Sequence, residues 1–501
     1  MSSITPNKLL VDYLTVDSSF GPVKGFIHKD YPHVAQFLGI PFAEAPVGSR
    51  RWLPPVPKAS VEEEFNATEF GPSCPQWYKP GPPSVYNSLV TELQIRDEMS
   101  EDNCLSVSIW MPAKAAKDPT AKLPVIVWIT GGAFLVGGSS IPYQNPTPWV
   151  ENSQRHMVAC INYRLTIFGF PNAAALAPDE RNLGLLDQRL GLEWVHKHIA
   201  SFGGDPSRLT HFGQSAGGRS IDMHAFQYKD NPLVRGLIIN SGTALPHMNA
   251  VSDPEHKQFS FVAQILGFKG GSPAEELRFM RQQSAEKLLK TIEAHSYTKQ
   301  APFLNFRPIV DKVTMFDDYE ELAKAGEFSK LDNGLPSLAP PATRETGWCR
   351  IVPTEWVLHL LQQQRGSQRI SSYDRRWQWQ TRSAHALTFR YLYKDFAPSG
   401  TSSFPNLSPR PWLRAYHSSD MPLIFGGHSW FRGPSTELEE RVSRAWQELY
   451  ITFAEDGPRG LRKLGWKDLS EGEGIVIGCG EKMWESVSLE DIDTLSFPSM
   501  G

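Results

Sequence analysis

No run of apolar residues in this 501-residue sequence approaches the ~18–20 needed to cross a bilayer as a helix, so no membrane span is expected. Met1 to Leu10 lacks the apolar stretch of a secretory leader. The polar stretch Trp484 to Gly501 carries neither an anchor tail nor a peroxisomal tripeptide. Together these absences give the expectation of a soluble, cytoplasmic protein. Cysteine is scarce: Cys74, Cys104, Cys160, Cys349 and Cys479, an odd count that excludes a disulfide-stapled scaffold. There is no Cys-x-x-Cys and no His-Glu-x-x-His, so neither a metal site nor a cofactor is expected. The formal net charge is −4 and the basic residues are scattered, which gives no footprint for nucleic acid. One local exception, Arg375-Arg376-Trp377-Gln378-Trp379-Gln380, mixes cations and aromatics but stands alone and reads as a surface loop. There is no internal repeat, and no feature reports an oligomeric state. Two glycosylation sequons, Asn66-Ala67-Thr68 and Asn406-Leu407-Ser408, would be idle in a cytoplasmic chain.

What the chain does contain centres on Ser215. It lies in Phe212-Gly213-Gln214-Ser215-Ala216-Gly217-Gly218, after Asp205-Pro206-Ser207-Arg208-Leu209-Thr210-His211. The preceding stretch reads as a turn and a short strand, and Ala216 to Tyr228 continues as a helix. A strand, a tight Gly-x-Ser-x-Gly corner and a helix make a nucleophile elbow, with the glycines where the turn is too tight for Cβ atoms.

The flanking chain alternates strand and helix. Cys104–Met111, Leu123–Ile129, Met157–Tyr163 and Val234–Asn240 read as strands, and Leu185–Ala200 has helical periodicity. The pattern predicts an α/β fold with a large, mostly parallel central sheet flanked by helices. From about residue 250 the pattern becomes helical, with Glu275–His295 the clearest stretch. The expected organisation is one domain over 1–501 with a helical cover at about 250–380. A strand at Leu387–Tyr393 and a helix at Thr436–Ala454 follow, ahead of a polar tail. Ser215 and the pair Gly131-Gly132 both follow strands, so both belong at the carboxyl edge, where α/β proteins build their sites.

A serine hydroxyl needs a general base, and the base needs an acid to hold its tautomer. On an elbow of this kind the chain order is serine, acid, histidine. His359 sits in an apolar helix-like run, and His385 leads into a strand. His417 sits in the polar loop Arg414–Pro422 and His428 shares its neighbourhood, so both stand as candidate bases. For the acid, Asp311 after a strand-like piece and Glu345 in a loop both qualify by position. The oxyanion needs fixed N–H donors. Ala216 supplies one, and Gly131-Gly132-Ala133-Phe134, following a strand, supplies others.

Longer motifs accompany these residues: Phe37–Gly48, Glu98–Leu105, Trp128–Phe134, Asn162-Tyr163-Arg164, Asn182–Gln188, Phe202–Pro206 and Ala415–Asp420 with Phe425-Gly426. In them the chain resembles the type-B carboxylesterase and lipase family, the cholinesterase-like α/β-hydrolases, in its fungal branch. By position, the resemblance implies Ser215 as nucleophile, His417 as base and Glu345 as acid. It implies Gly132, Ala133 and Ala216 as oxyanion donors, ion pairs Arg51–Glu101 and Arg164–Asp187, and a disulfide between Cys74 and Cys104. The chain departs from the family at Thr130, where most members have His, and at Gln214, where cholinesterases have Glu. It also departs at Asn103, an insertion, and at Glu345-Thr346-Gly347, where Glu-Gly is usual. The Cys74–Cys104 loop lacks the tryptophan of a choline platform, and His247 falls near an acyl-pocket tryptophan of cholinesterases.

The expected function is a serine carboxylic-ester hydrolase that works through an acyl-enzyme on a small-molecule ester. Two alternatives share the fold: a secondary-metabolite enzyme acting as lactonase, transacylase or cyclase, and a non-catalytic binding protein.

Overall fold

The computed structural model describes residues 10–77, 89–95, 97–118, 120–244, 253, 255–329, 349–353, 387–393, 407, 417–467, 471–477 and 484–491. Among these, the strands in chain order are β1 (Val11–Ser18), β2 (Gly21–His28), β3 (Val34–Pro41), β4 (Phe65–Asn66), β5 (Ser106–Pro112), β6 (Leu123–Ile129) and β7 (Met157–Ile161). They continue as β8 (Gly204–Gln214), β9 (Gly236–Asn240), β10 (Cys349–Pro353), β11 (Leu387–Tyr393), β12 (Glu473–Ile477) and β13 (Trp484–Ser488). All belong to one sheet of order β1-β2-β3-β5-β7-β6-β8-β9-β10-β11-β12-β13, with β4 beside β2. The run from β7 to β12 is parallel, while β1, β2, β3, β5 and β7 pair antiparallel at one end and β12–β13 at the other.

Side-chain alternation explains why the sheet is covered on both faces. On β6, Val125, Val127 and Ile129 join one buried cluster with Leu185, Leu192 and Val195 of helix α3 and Ile221 and Met223 of α4. The intervening Ile126 and Trp128 join a second cluster on the opposite face. The helices before and at this level are α1 (Thr147–Ser153), α2 (Thr166–Gly169), α3 (Leu183–His198) and α4 (Ala216–Gln227). After the cover helices α5 (Lys257–Ile265), α6 (Pro273–Arg281), α7 (Ala285–Thr298) and α8 (Tyr319–Ala325) come α9 (Met421–Phe425), α10 (Glu437–Asp456) and α11 (Pro458–Lys463). Leu423, Ile424 and Phe425 of α9 and Val442, Trp446, Leu449, Tyr450 and Phe453 of α10 fill the second cluster. A third cluster seats α5–α7 on Trp52, Ile167 and Phe168 through Phe259, Val262, Leu277, Met280, Leu288 and Ile292.

The predicted central elements are present, with shifted ends. β6 has the predicted bounds, β5 starts at Ser106 rather than Cys104, and β9 starts at Gly236 rather than Val234. Glu275–His295 is two helices, because Ser284 caps a new one by accepting from the Lys287 N–H. Thr436 forms a capping box with Glu439, so α10 begins one residue later than Thr436. The antiparallel strands β1–β3 went unpredicted, and Trp484–Ser488 is a strand where a polar tail was expected. Edge strands of this kind carry mixed exposure, and β13 gains its order from pairing with the buried β12. The 331–348 and 354–386 stretches, with His359, His385 and the Arg375–Gln380 patch, lie outside the described residues, as do Asn406 and His247.

The two ion pairs implied by the resemblance are both present and buried. Arg164 donates from Nε and Nη2 to Asp187 at 2.8 and 2.7 Å, and its main-chain N–H adds a third bond. Arg51 forks onto Glu101 through Nε and Nη2, and its Nη1 reaches the Gln283 carbonyl, which fastens the helical cover to the amino-terminal half. Removing one partner of such a pair strands a buried charge, which costs roughly 3–5 kcal/mol.

His156, His211 and His224 are buried as neutral rings. His156 lies under Trp149 with Nδ1 2.7 Å from Ser153 Oγ, and burial, helped by Arg155, brings its pKa down to about 3. His224 is brought down to about 3 by burial and by Arg189, and His211 is pushed well down by burial, His224 and Arg189. Unfolded histidines titrate near 6.5, so the unfolded chain takes up these protons first. Their stabilisation is complete above about pH 6.5 and drains away as pH falls toward 3. Buried Asp420, raised to about 7, acts in the opposite sense, losing stability as pH rises from 3.8 toward 7. Burial also lowers His198 and His428 and raises Asp97, Glu101 and Glu276, so the share of one imidazole is read by difference, in the slope of the urea midpoint between pH 7 and pH 4. The His224→Gln variant should show a shallower slope; an unchanged slope would count against the assignment.

Candidate active site

β8 ends at Gln214, α4 begins at Ala216, and Ser215 is the single residue between them. Its backbone is in a left-handed region, φ +57° and ψ −118°, which a β-substituted residue adopts only under constraint. The constraint is visible. The Ser215 N–H donates to the Asn240 carbonyl of β9 at 2.7 Å, and its carbonyl accepts from the Arg219 N–H at 2.9 Å to start the helix. A Cβ on Gly213 would lie 2.4 Å from the Gly217 carbonyl carbon, and one on Gly217 would lie 2.0 Å from the Ile129 carbonyl oxygen. The glycines around Ser215 are therefore required by close approach, as the elbow motif predicts. Ser215 is half-exposed at the amino end of α4, whose dipole favours developing negative charge there.

Strand register places the neighbouring turn. Ile129 of β6 pairs with Gly213 of β8, so Gly131 comes level with Ser215. A Cβ on Gly131 would lie 3.1 Å from Ser215 Cβ. The chain then bends through Gly132, Ala133 and Phe134, with φ of +115°, +59° and +64°. The Gly132 carbonyl accepts from Leu135 and Val136 at 3.0 and 3.1 Å, and Gly132 and Ala133 are half-exposed beside the serine. Gln76 braces the far end of this loop: its amide exchanges two hydrogen bonds with Gly137, at 2.8 and 2.9 Å, as a neighbouring strand would. Tyr163 Oη donates to the Thr130 carbonyl at 3.0 Å.

His417 is brought to the same corner. Its Nε2 is 3.1 Å from Gln214 Nε2, and the same amide nitrogen donates to Ser418 Oγ at 2.9 Å. Ser418 has φ +75°, and Asp420 follows at the start of α9. Burial pushes the Asp420 carboxyl up to about 7, against an Asn240 Nδ2 contact of 3.4 Å and the main-chain N–H groups of Asp420 and Met421. Tyr450 of α10 donates to Asn240 Oδ1 at 2.9 Å, which ties β9 to α10 beside the His417 loop.

His428 is 3% exposed and bonded to Ser435 Oγ, a packed position seven residues from its partner in the same loop. Asp311 is committed to a turn: it accepts from the N–H groups of Val313, Thr314 and Met315, from Thr314 Oγ1 and from Asn182 Nδ2. That leaves it no role at the serine. Glu345 lies outside the described residues.

Cys74 and Cys104 are both buried as thiols. Cys74 Sγ is 3.6 Å from the Cys104 carbonyl, and burial with the Cys104 thiol alongside holds Cys74 well above the usual thiol range. Sequence reading did not single out Asp97, which accepts from Ser73 Oγ at 2.9 Å and from Ser140 Oγ and joins the Cys74–Cys104 segment to the end of the glycine turn. Nor did it single out Gln76. Neither belongs to a motif, since a buried amide or carboxyl reveals itself only by what it touches.

Comparison with known proteins agrees with this geometry. The model of the carboxylesterase family matches residues 12–352. A chlorogenic acid esterase of Aspergillus niger is 38% identical over 453 residues, 90% of this chain and 84% of its own. A secreted lipase, lipase 5 of Gibberella zeae, is 35% identical over 483 residues, 90% of this chain and 87% of its own. The acetylcholinesterase of Electrophorus electricus is 32% identical over 325 residues, 63% of this chain and 49% of its own. The cytoplasmic expectation is overturned by these relatives, one of which is secreted by name.

The glycine turn yields a specific expectation. In Gly131→Ala the new Cβ falls 2.6 Å from Gln214 Oε1 and 2.7 Å from the Gln214 carbonyl, so the elbow must shift. A misplacement near 1 Å costs on the order of a hundredfold in rate. Labelling of Ser215 by a fluorophosphonate should slow by about that factor, with the thermal midpoint little changed. Wild-type labelling rates in this variant would show that the turn does not position the serine.

Proposed function

The chain belongs to the carboxylesterase family of α/β-hydrolases, and we propose that within it Ser215, His417 and Glu345 form the acyl-transfer centre. It is a carboxylic-ester hydrolase with a small-molecule ester as substrate. The observation that carries the residue assignment is the junction of three elements at one point: the strained Ser215, the Gly131–Phe134 turn level with it, and His417 against Gln214. Ser215 Oγ attacks the ester carbonyl while His417 Nε2 takes its proton. The developing oxyanion is held by the N–H groups of Gly132, Ala133 and Ala216. His417 then returns the proton to the leaving alcohol, and water attacks the acyl-enzyme by the same route in reverse. Glu345, supplied from the segment after α8, orients the imidazole through Nδ1. The fold is used as one domain with α5–α8 as the helical cover.

The esterase and lipase names among the relatives favour hydrolysis of an open-chain ester over lactonase, transacylase, cyclase and non-catalytic binding roles. The chlorogenic acid esterase makes phenolic-acid esters the first natural substrates to assay. Ser215→Ala should abolish both hydrolysis of p-nitrophenyl acetate and labelling by a fluorophosphonate. Labelling that persists in this variant would move the nucleophile elsewhere.

The protein works outside the cell in this account. An oxidising medium joins Cys74 to Cys104, which closes a loop worth roughly 3–4 kcal/mol of stability. It also makes Asn66 a live glycosylation site, since Asn66 is exposed on β4 and Thr68 Oγ1 donates to its Oδ1 at 3.0 Å. Protein secreted from a fungal host should carry a glycan at Asn66 and show a Cys74–Cys104 peptide pair by mass spectrometry. Recovery in the cell fraction with both thiols free would refute the extracellular assignment.

A further inference from the structure

We propose that Gln76, which lies outside the acyl-transfer centre, is a positioning residue for the oxyanion donors: it clamps the end of the Gly131–Gly137 turn and so fixes where the Gly132 and Ala133 N–H groups stand. The proposal rests on the reading of that turn as the oxyanion hole.

Gln76 is 1% exposed, and both ends of its amide are engaged. Nε2 donates to the Gly137 carbonyl at 2.8 Å and to the Cys74 carbonyl at 3.1 Å, and Oε1 accepts from the Gly137 N–H at 2.9 Å. These partners fix the orientation, because a reversed amide would set its oxygen against two carbonyls. Gly137 is buried, so loss of the amide would take partners from two main-chain groups held away from water.

Gly137 is in turn pressed against the start of the turn. It has φ +133°, and a Cβ on it would lie 2.6 Å from the Gly131 carbonyl oxygen and 3.0 Å from Thr130 Oγ1. Gly132 is closed in the same way, since a Cβ there would lie 2.0 Å from the Val136 carbonyl oxygen. Between these contacts Ala133 and Phe134 hold positive φ angles, and such strain persists only where the surroundings impose it. A shift at Gly137 therefore passes to Gly131 and the donors with no slack to absorb it.

The clamp has its own anchorage. The Ser73 N–H donates to the Glu98 carbonyl at 2.9 Å, and the Ser73 carbonyl accepts from the Ser100 N–H at 3.0 Å. Ser73 Oγ donates to Asp97, which also accepts from Ser140 Oγ, and a Cβ on Gly138 would lie 2.6 Å from Ser73 Oγ. The 73–76 segment is thus fixed to 97–100 on one side and to 137–140 on the other. Oxyanion donors act on charge that appears only in the transition state. A residue that aims them should change the rate of attack and leave binding of the intact ester alone.

The test compares wild type with Gln76→Met, which keeps the length of the side chain and removes its hydrogen bonds. For p-nitrophenyl acetate, kcat/KM should fall by roughly tenfold to a hundredfold. Affinity for an aryl trifluoromethyl ketone should fall by the same factor, because Ser215 Oγ adds to its carbonyl carbon and leaves the negative oxygen in the turn. Affinity for the matching methyl ketone, which binds without addition, should stay within about twofold. Ser284→Ala, which removes a helix cap in the cover, should lower the thermal midpoint without this split. Gln76→Glu is the rescue, and it also carries the test if Gln76→Met does not fold. Its protonated carboxyl can make both bonds to Gly137, whereas its carboxylate would face two carbonyls. Its kcat/KM relative to wild type should therefore fall as pH rises from about 5 to about 9. A Gln76→Met enzyme with wild-type kcat/KM, or with equal losses for both ketones, would overturn the proposal. So would the same split in Ser284→Ala, or a Gln76→Glu ratio that is flat with pH. Hydrolysis surviving in Ser215→Ala would instead refute the centre itself, and the proposal with it.

Discussion

The register of three parallel strands is the constraint on which the rest of the site depends. Ile129 stands opposite Gly213, and Gln214 stands opposite Asn240. That alignment delivers the Asn240 carbonyl to the Ser215 N–H and the Gly131 main chain to the Ser215 side chain. A slip of one residue would exchange the faces of β6, sending Val125, Val127 and Ile129 away from α3 and α4. The apolar core therefore specifies the catalytic corner indirectly, by permitting one alignment. The strained Ser215 dihedrals are the local consequence, held by helix α4 on one side and β9 on the other.

Helix α10 extends this control to the loop that carries His417. Arg235 and Arg208 reach the carbonyls of Ala454 and Glu455 at its carboxyl end, and Tyr450 reaches Asn240 from its middle. Ser443 Oγ donates to the Leu423 carbonyl at 2.6 Å, which fixes α9 and with it the 417–420 loop. Two charged side chains capping a helix end complement its dipole and satisfy carbonyls that lack intrahelical partners. The loop that carries His417 is thus positioned by a helix more than twenty residues later in sequence, and the same helix covers the face of the sheet from which β8 and β9 project Phe212 and Ile238.

How much of this was legible beforehand depended on whether the signal was local. Ser215 was readable because an elbow needs glycines at fixed offsets, and the structure shows the contacts that demand them. β6 was readable because a strand buried on both faces is apolar throughout. The β1 and β2 strands at the sheet edge were not, since their residues mix burial with exposure and carry no chemical motif. The break at Ser284 was missed because helical composition continues across it and only the cap marks the new start. His417 could be separated from His428 only by family likeness, as both lie near one polar loop. Asp311 and Glu345 were indistinguishable by position, and what removes Asp311 is its full set of turn hydrogen bonds.

The surroundings of His417 follow from the cost of burying charge. Gln214, Ser418, Ser419 and Asn240 are all nearly inaccessible, and all are neutral. Asp420, the one carboxyl among them, is pushed by burial toward its protonated form. A second fixed anion here would have to be desolvated with no cation among these residues to offset it. An amide at position 214 avoids that cost while still offering two donors to the base loop.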